Sequence, residues 1–110
     1  MKPMKKNDMI TTITRECWKQ WAHLEALKVE IAGTLDHDSY SFYELTNLVE
    51  ADEGYKGALS VWYGMSELAD KVGIDWLNAG YSTDDEETIE ARRAHEIHNI
   101  HFWRMCKNPT

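Results

Sequence analysis

Residues 8–33 read DMITTITRECWKQWAHLEALKVEIAG, and this stretch decides the fold. At 100° per residue, Ile10, Ile13, Cys17, Trp21, Leu24, Leu27 and Ile31 fall on one face. Trp18 and Val29 flank that stripe and widen it. Asp8 is placed to cap the start, and Gly33 stands where a left-handed C-terminal cap is expected. The spacing predicts a helix from Asp8 to Ala32, about 37 Å long, with residues 1–7 disordered ahead of it.

The rest of the chain supports the same class. Pro3 and Pro109 are its only prolines, so none interrupts helix between residues 4 and 108. There is no sustained period-two alternation and no Asn-Gly hairpin signal. Ser41-Phe42-Tyr43-Glu44 has the spacing of a capping box, and Phe42, Leu45, Leu48 and Val49 predict a short helix over 42–52. Gly54 and Gly57 are the expected break. Ala58, Val61, Trp62, Met65, Leu68, Ala69 and Val72 predict a helix over 56–72. Gly73 should end it, with Ile74 placed for the apolar contact of a Schellman cap. One further turn is expected over 75–79, ended by Gly80. Thr83 and Glu86 repeat the capping-box spacing. The last helix should then reach about Lys107, its core stripe made by Ile89, Ile97, Ile100 and Trp103 and widened by Ala94, His101 and Met105. Asp84 to Glu87 sit in its first turn, where the helix dipole favours negative charge.

These elements predict an all-α protein: a single helical domain over 1–110, built as a small antiparallel bundle of about four helices. The alternative arrangement is a homodimer that completes its core between chains, because the first and last helices are long for 110 residues.

Composition narrows the function classes. Charged residues are 28% and the net charge is −7, ordinary for a globular chain and unlike a disordered one. Charge is unevenly placed. Residues 1–28 hold six bases and three acids, residues 29–90 fifteen acids and two bases, and residues 91–110 four bases and one acid. An anionic middle repels phosphate, which excludes direct nucleic-acid binding. It suits a protein partner with a basic surface, such as a protein that itself handles nucleic acid. No apolar run has membrane-spanning length, and no leader pattern follows the basic N-terminus, so a cytoplasmic protein is expected. Cys17 and Cys106 form no CxxC and read as reduced thiols, a single bridge being the alternative.

No catalytic signature is present, and the expectation is a non-enzymatic binding protein, an inhibitor or adaptor, without a cofactor. Its partner-binding residues are expected to be Asp36, Asp38, Tyr40, Tyr43, Glu50, Asp52, Glu53 and Tyr55. The acids would steer a basic partner and the tyrosines would supply contact area. In size and charge the chain is similar to phage-encoded anti-restriction and anti-CRISPR proteins, an analogy of physical type alone.

Two alternatives rest on RRAHEIHNIH, residues 92–101. His95, His98 and His101 lie three apart and so diverge by about 60° per step. A metal there needs ligands from another helix, Cys17 or Glu44 being candidates. Arg93-x4-His98 resembles the Arg-x4-6-His motif of HEPN-type ribonucleases. That resemblance implies an RNA-cleaving site made by Arg93 and His98 from two protomers. A third alternative is an oligomeric assembly subunit.

Overall fold

The computed structural model describes residues 5–82 and 85–106. Five helices follow in order: α1 Lys6–Gly33, α2 Phe42–Ala51, α3 Glu53–Lys71, α4 Trp76–Ser82 and α5 Glu86–Cys106. Among the described residues there is no strand. The all-helical class is confirmed, with one helix more than the expected four.

Helix α1 starts earlier than its sequence suggests. Lys5 is the residue before its first turn and makes no side-chain cap, while Asp8 lies inside the turn. Residues 6 and 7 are therefore helical. At the other end, Gly33 is the last helical residue rather than a left-handed cap. The chain closes with the Thr34 N–H on the Ile31 carbonyl. A Cβ at Gly33 would stand 3.3 Å from Met105 Cε, so this glycine admits α5 closely.

Asp52, not Gly54 or Gly57, breaks the chain between α2 and α3. Its backbone is extended (ψ 132°), and its carboxylate accepts the Tyr55 N–H at 3.1 Å. Asp competes with helix by bonding its own backbone neighbours, so one residue suffices. Ser41 caps α2 as expected, accepting the Glu44 N–H. Gly57 and Gly64 then lie within α3, each about 1 kcal/mol worse there than Ala. Gly73 (φ +78°) is the left-handed residue at the end of α3. Its N–H reaches the Asp70 carbonyl and that of Ile74 reaches Ala69, which is the expected Schellman pair.

Helix α4 does not stop at Gly80 but runs through it. Gly80 is buried beneath Trp18: a Cβ there would collide with Trp18 Nε1. The expected Thr83 cap of α5 lies outside the described residues. Asp85 serves as a cap, accepting the Thr88 N–H at 2.9 Å and the Thr88 hydroxyl at 2.8 Å. The same carboxylate takes both Arg15 donors, at 2.8 and 3.2 Å. These bonds, Arg15 foremost, hold Asp85 well below the usual carboxylate range.

Helix α1 packs against each of the other four. Trp21 meets Trp62 of α3, and nearer the start of α1 Cys17 shares a cluster with Ala69, so α1 and α3 run in opposite directions. Arg15 meets Asp85, Trp21 meets His95, and Lys28 lies over Phe102. Residue numbers rise together along that contact, so α1 and α5 run the same way. The expected antiparallel arrangement therefore holds for α1 and α3 but not for α1 and α5.

The result is a rod of 55 × 25 × 21 Å, with a radius of gyration of 16.1 Å against about 13 Å for a compact chain of this size. Two apolar clusters lie along α1. One joins Ile13, Cys17, Trp18, Ala69, Ile74, Trp76 and Ala91. The other joins Leu24, Ala32, Leu45, Val49, Tyr55, Phe102 and Cys106. Cys17 and Cys106 are free and buried in different clusters, Cys106 more deeply than its terminal position suggests. Burial pushes the Cys17 thiol up to about 11.

Trp62 bridges the two clusters, and buried polar side chains line the α1–α5 seam. Trp21 Nε1 donates to His95 Nε2 at 2.6 Å, and Lys28 pairs with Glu25 at 3.0 Å. Burial, then the Lys28 charge, pushes His95 down to about 4. His95 is therefore neutral at pH 7 and accepts from Trp21.

Helix α5 is rotated relative to its expected orientation. Thr88, Ala91, Phe102 and Cys106 are buried on the His95 side, whereas Ile97, Ile100 and Trp103 are half exposed. Three of the four residues expected to form its core stripe thus face outward, and Ile89 is half-buried.

Two predictions follow from this packing. Gly80→Ala forces the buried Trp18 ring to shift and should cost about 1–3 kcal/mol, read as a lower denaturant midpoint. Acidification should act in two stages. His95 binds a proton at about 6.5 when unfolded and at about 4 when folded, so stability present above pH 6.5 is lost as pH falls toward 4. Asp85 then withdraws its contribution below its ordinary value of 3.8. Thermal midpoints against pH should show His95→Gln flattening the upper limb and Asp85→Asn the lower one.

Candidate functional site

The Schellman turn at Gly73 reverses the chain and returns Ile74 to the core, where it is buried. Asp75 then caps α4, its carbonyl taking the Ala79 N–H at 2.8 Å. This places Trp76 over the seam between α1 and α3. Trp18 holds it from below, its Nε1 donating to the Trp76 carbonyl at 3.2 Å with the rings edge to face at 5.0 Å.

Three indoles meet there. Trp21 of α1 lies 4.8 Å from Trp62 of α3 and 5.7 Å from Trp76 of α4, and Trp62 lies 6.1 Å from Trp76. They wall a cleft of about 580 Å³ that is completed by Ser66, Ile74 and Leu77. Asp70 and Asp75 border it, both on exposed residues. Trp62 Nε1 is buried without an acceptor among the described residues. That costs about 1–3 kcal/mol and leaves the ring positioned by packing alone. Indole faces attract cations through their quadrupole, Trp most strongly, and two carboxylates raise the local concentration of positive charge. The cleft has the dimensions of a small-ligand or single-side-chain pocket and the chemistry of a cation receptor.

The residues expected to bind a partner lie elsewhere and divide by role. Asp36 organises its own loop, accepting the Asp38 N–H at 3.1 Å and the Ser39 hydroxyl at 2.6 Å; these bonds, Ser39 first, lower its carboxyl. Asp52 caps α3. Tyr55 is buried in the second cluster, and burial pushes its hydroxyl up to about 12, so it offers no surface to a partner. Asp38, Tyr40, Tyr43, Glu50 and Glu53 are exposed, Tyr43 at 73%. They are spread over the 34–41 loop, α2 and the start of α3. Part of the acidic excess is consumed within the fold: Glu87 pairs with Arg15 and Lys19, both at 3.1 Å.

The histidine helix does not assemble a metal centre. His95 faces the α1–α5 seam, His98 is half-buried and His101 is exposed. Among the described residues no three His, Cys, Asp or Glu side chains group as a metal site requires. Cys17 sits in the apolar core. Arg93 and His98 stand about 140° apart around α5, so one chain does not bring them together. Among the described residues no helix is long and apolar enough to cross a membrane.

The sequence carried a signal for the cleft that stripe assignment hides. Trp21 and Trp62 read as ordinary core positions, and Trp76 as part of the single turn expected over 75–79. The Gly73 turn followed at once by Asp75-Trp76 is what folds the third indole back onto the other two. No protein-family model matches the chain, and neither the curated proteins nor the solved structures contain a match to it.

Proposed function

We propose that this is a small acidic, non-enzymatic binding protein that occupies the basic surface of a partner protein, of the kind that handles nucleic acid. The three-indole cleft is its anchor and takes a Lys or Arg side chain of that partner. The observation that carries this reading is the conjunction of Trp21, Trp62 and Trp76 with Asp70 and Asp75 around one cleft. Guanidinium is the better fit, being planar and weakly hydrated enough to stack on indole. The anionic surface of α2 and α3, Glu50 and Glu53 included, steers the partner without forming the anchor. Occlusion of a polyanion-binding surface by such a protein is inhibition without chemistry, the physical type of a phage anti-defence protein. A second reading, an assembly subunit joined through helix faces, draws on the exposed apolar residues of α3 and α5.

The test is a tryptophan-fluorescence titration with a short arginine-rich peptide, and with a glutamine-rich peptide of equal length as control. The arginine peptide should shift the emission saturably and the control should not. Asp70→Asn should weaken binding more than Glu44→Gln, which removes the same charge elsewhere. Trp62→Leu should remove the cation–π part, about 0.5–2 kcal/mol. Equal weakening by Asp70→Asn and Glu44→Gln, with no effect of Trp62→Leu, would show diffuse attraction only and reject the cleft.

A further inference from the structure

Helix α3 carries two apolar faces. One, with Tyr55, Trp62 and Ala69, is packed in the core or against it. The other holds Gly57, Val61, Gly64 and Leu68, continued by Val72 of the C-terminal cap, at spacings of four, three, four and four. All five are exposed, with Val61 at 53%, Leu68 at 42% and Val72 at 43%. These spacings match the seam of a coiled coil. Glycine is the poorest helix former after proline, yet a Cβ at Gly57 or Gly64 would meet nothing within 4 Å. Nothing inside the chain therefore requires glycine at either position. Close approach by another helix would.

The charges beside this face identify the helix that fits. Along its polar edge run Glu53, Lys56, Glu67 and Lys71. When α3 is laid against a second α3 in the opposite direction, about a two-fold axis near residue 62, Glu53 meets Lys71 of the second copy and Lys56 meets its Glu67. In the same register Gly57 faces Leu68 and Val61 faces Gly64, so Leu68 and Val61 each enter the space left by a glycine. A parallel alignment instead opposes Glu53 to Glu53, Lys56 to Lys56 and Leu68 to Leu68.

The exposed apolar face of α5 fails the same comparison. Ile97 and Ile100 are half exposed, but the antiparallel register that pairs them opposes Arg93 to Arg104 of the second copy. Like charges disfavour self-association there.

We propose that α3 is the seam of a homodimer in which two copies pack their α3 helices antiparallel, an isologous two-fold contact. The pairing leaves the three-indole clefts free, because Trp62, Ser66 and Asp70 lie on other faces of α3. The dimer presents two clefts to partners and stands independently of what the clefts bind.

The experiment is sedimentation equilibrium of the full chain over a range of concentrations. The expected mass rises to twice the 12.8 kDa of one chain. Leu68→Lys should return it to the monomer. Gly57→Ala with Gly64→Ala should also give monomer while raising the thermal midpoint of the dilute protein, because both methyl groups have space within one chain. Lys71→Glu should weaken the dimer several-fold, and Glu53→Lys added to it should restore the affinity. A monomer at every concentration overturns the proposal. So does a dimer that survives the double glycine variant, or one that Ile100→Lys dissociates and Leu68→Lys does not. If Leu68→Lys loses its helical circular dichroism, the glycine and charge-swap variants decide the matter.

Discussion

The hydrogen bond from Trp21 to His95 sets how the last helix is seated. His95 must face α1 to accept it, and at 100° per residue Thr88, Ala91, Phe102 and Cys106 lie within about 40° of His95. Those four are the buried residues of α5. Ile97 and Ile100 lie more than about 130° away by the same arithmetic, and they are left outside. Small residues on the buried side let the two parallel helices approach, as Gly33 does beside Met105. At the start of α5, Arg15 and Asp85 secure the same register with two charged hydrogen bonds.

The rest of the rod is arranged around that contact. α1 packs against all four of the others, so it has apolar side chains beyond a single stripe. Among its buried side chains is a polar layer in which Glu25, at 3% exposure, keeps Lys28 beside it. Glu25 Oε2 and His95 Nδ1 are buried in this layer without a hydrogen-bond partner among the described residues, a cost that an apolar layer would not carry. In return, a buried polar layer with one geometry distinguishes the native register from a slipped one. The long, thin shape has its own consequence. Helices in a rod meet few neighbours, so α3 and α5 retain outward apolar faces that a compact bundle of four would have buried.

The proposed activity depends on a connection rather than on a helix. Gly73 turns the chain, Asp75 restarts it, and Trp76 closes a cleft whose other walls are core residues of α1 and α3. The two acids that border the cleft belong to the anionic middle of the chain. Other acids near the start of α5 are used internally, Asp85 and Glu87 pairing with Arg15 and Lys19.

Local chemistry was legible in the sequence. The all-helical class followed from terminal prolines and helical periodicity, the cap of α2 from Ser41, and the end of α3 from Gly73-Ile74. These depend on a few neighbouring residues, and local rules govern them. The break at Asp52 was misplaced to the glycines because a capping carboxylate interrupts helix more sharply than flexible backbone does. Tertiary packing decided the rotation of α5. Isoleucine stripes report hydrophobicity, but the seat against α1 required small residues and a histidine in reach of Trp21, seventy-four positions away. It also decided the site. The acids and tyrosines of 36–55 are a local cluster in sequence that becomes caps, core and scattered surface. Trp21, Trp62 and Trp76 are far apart in sequence, and only the Gly73 turn and the α1–α3 seam bring their rings together.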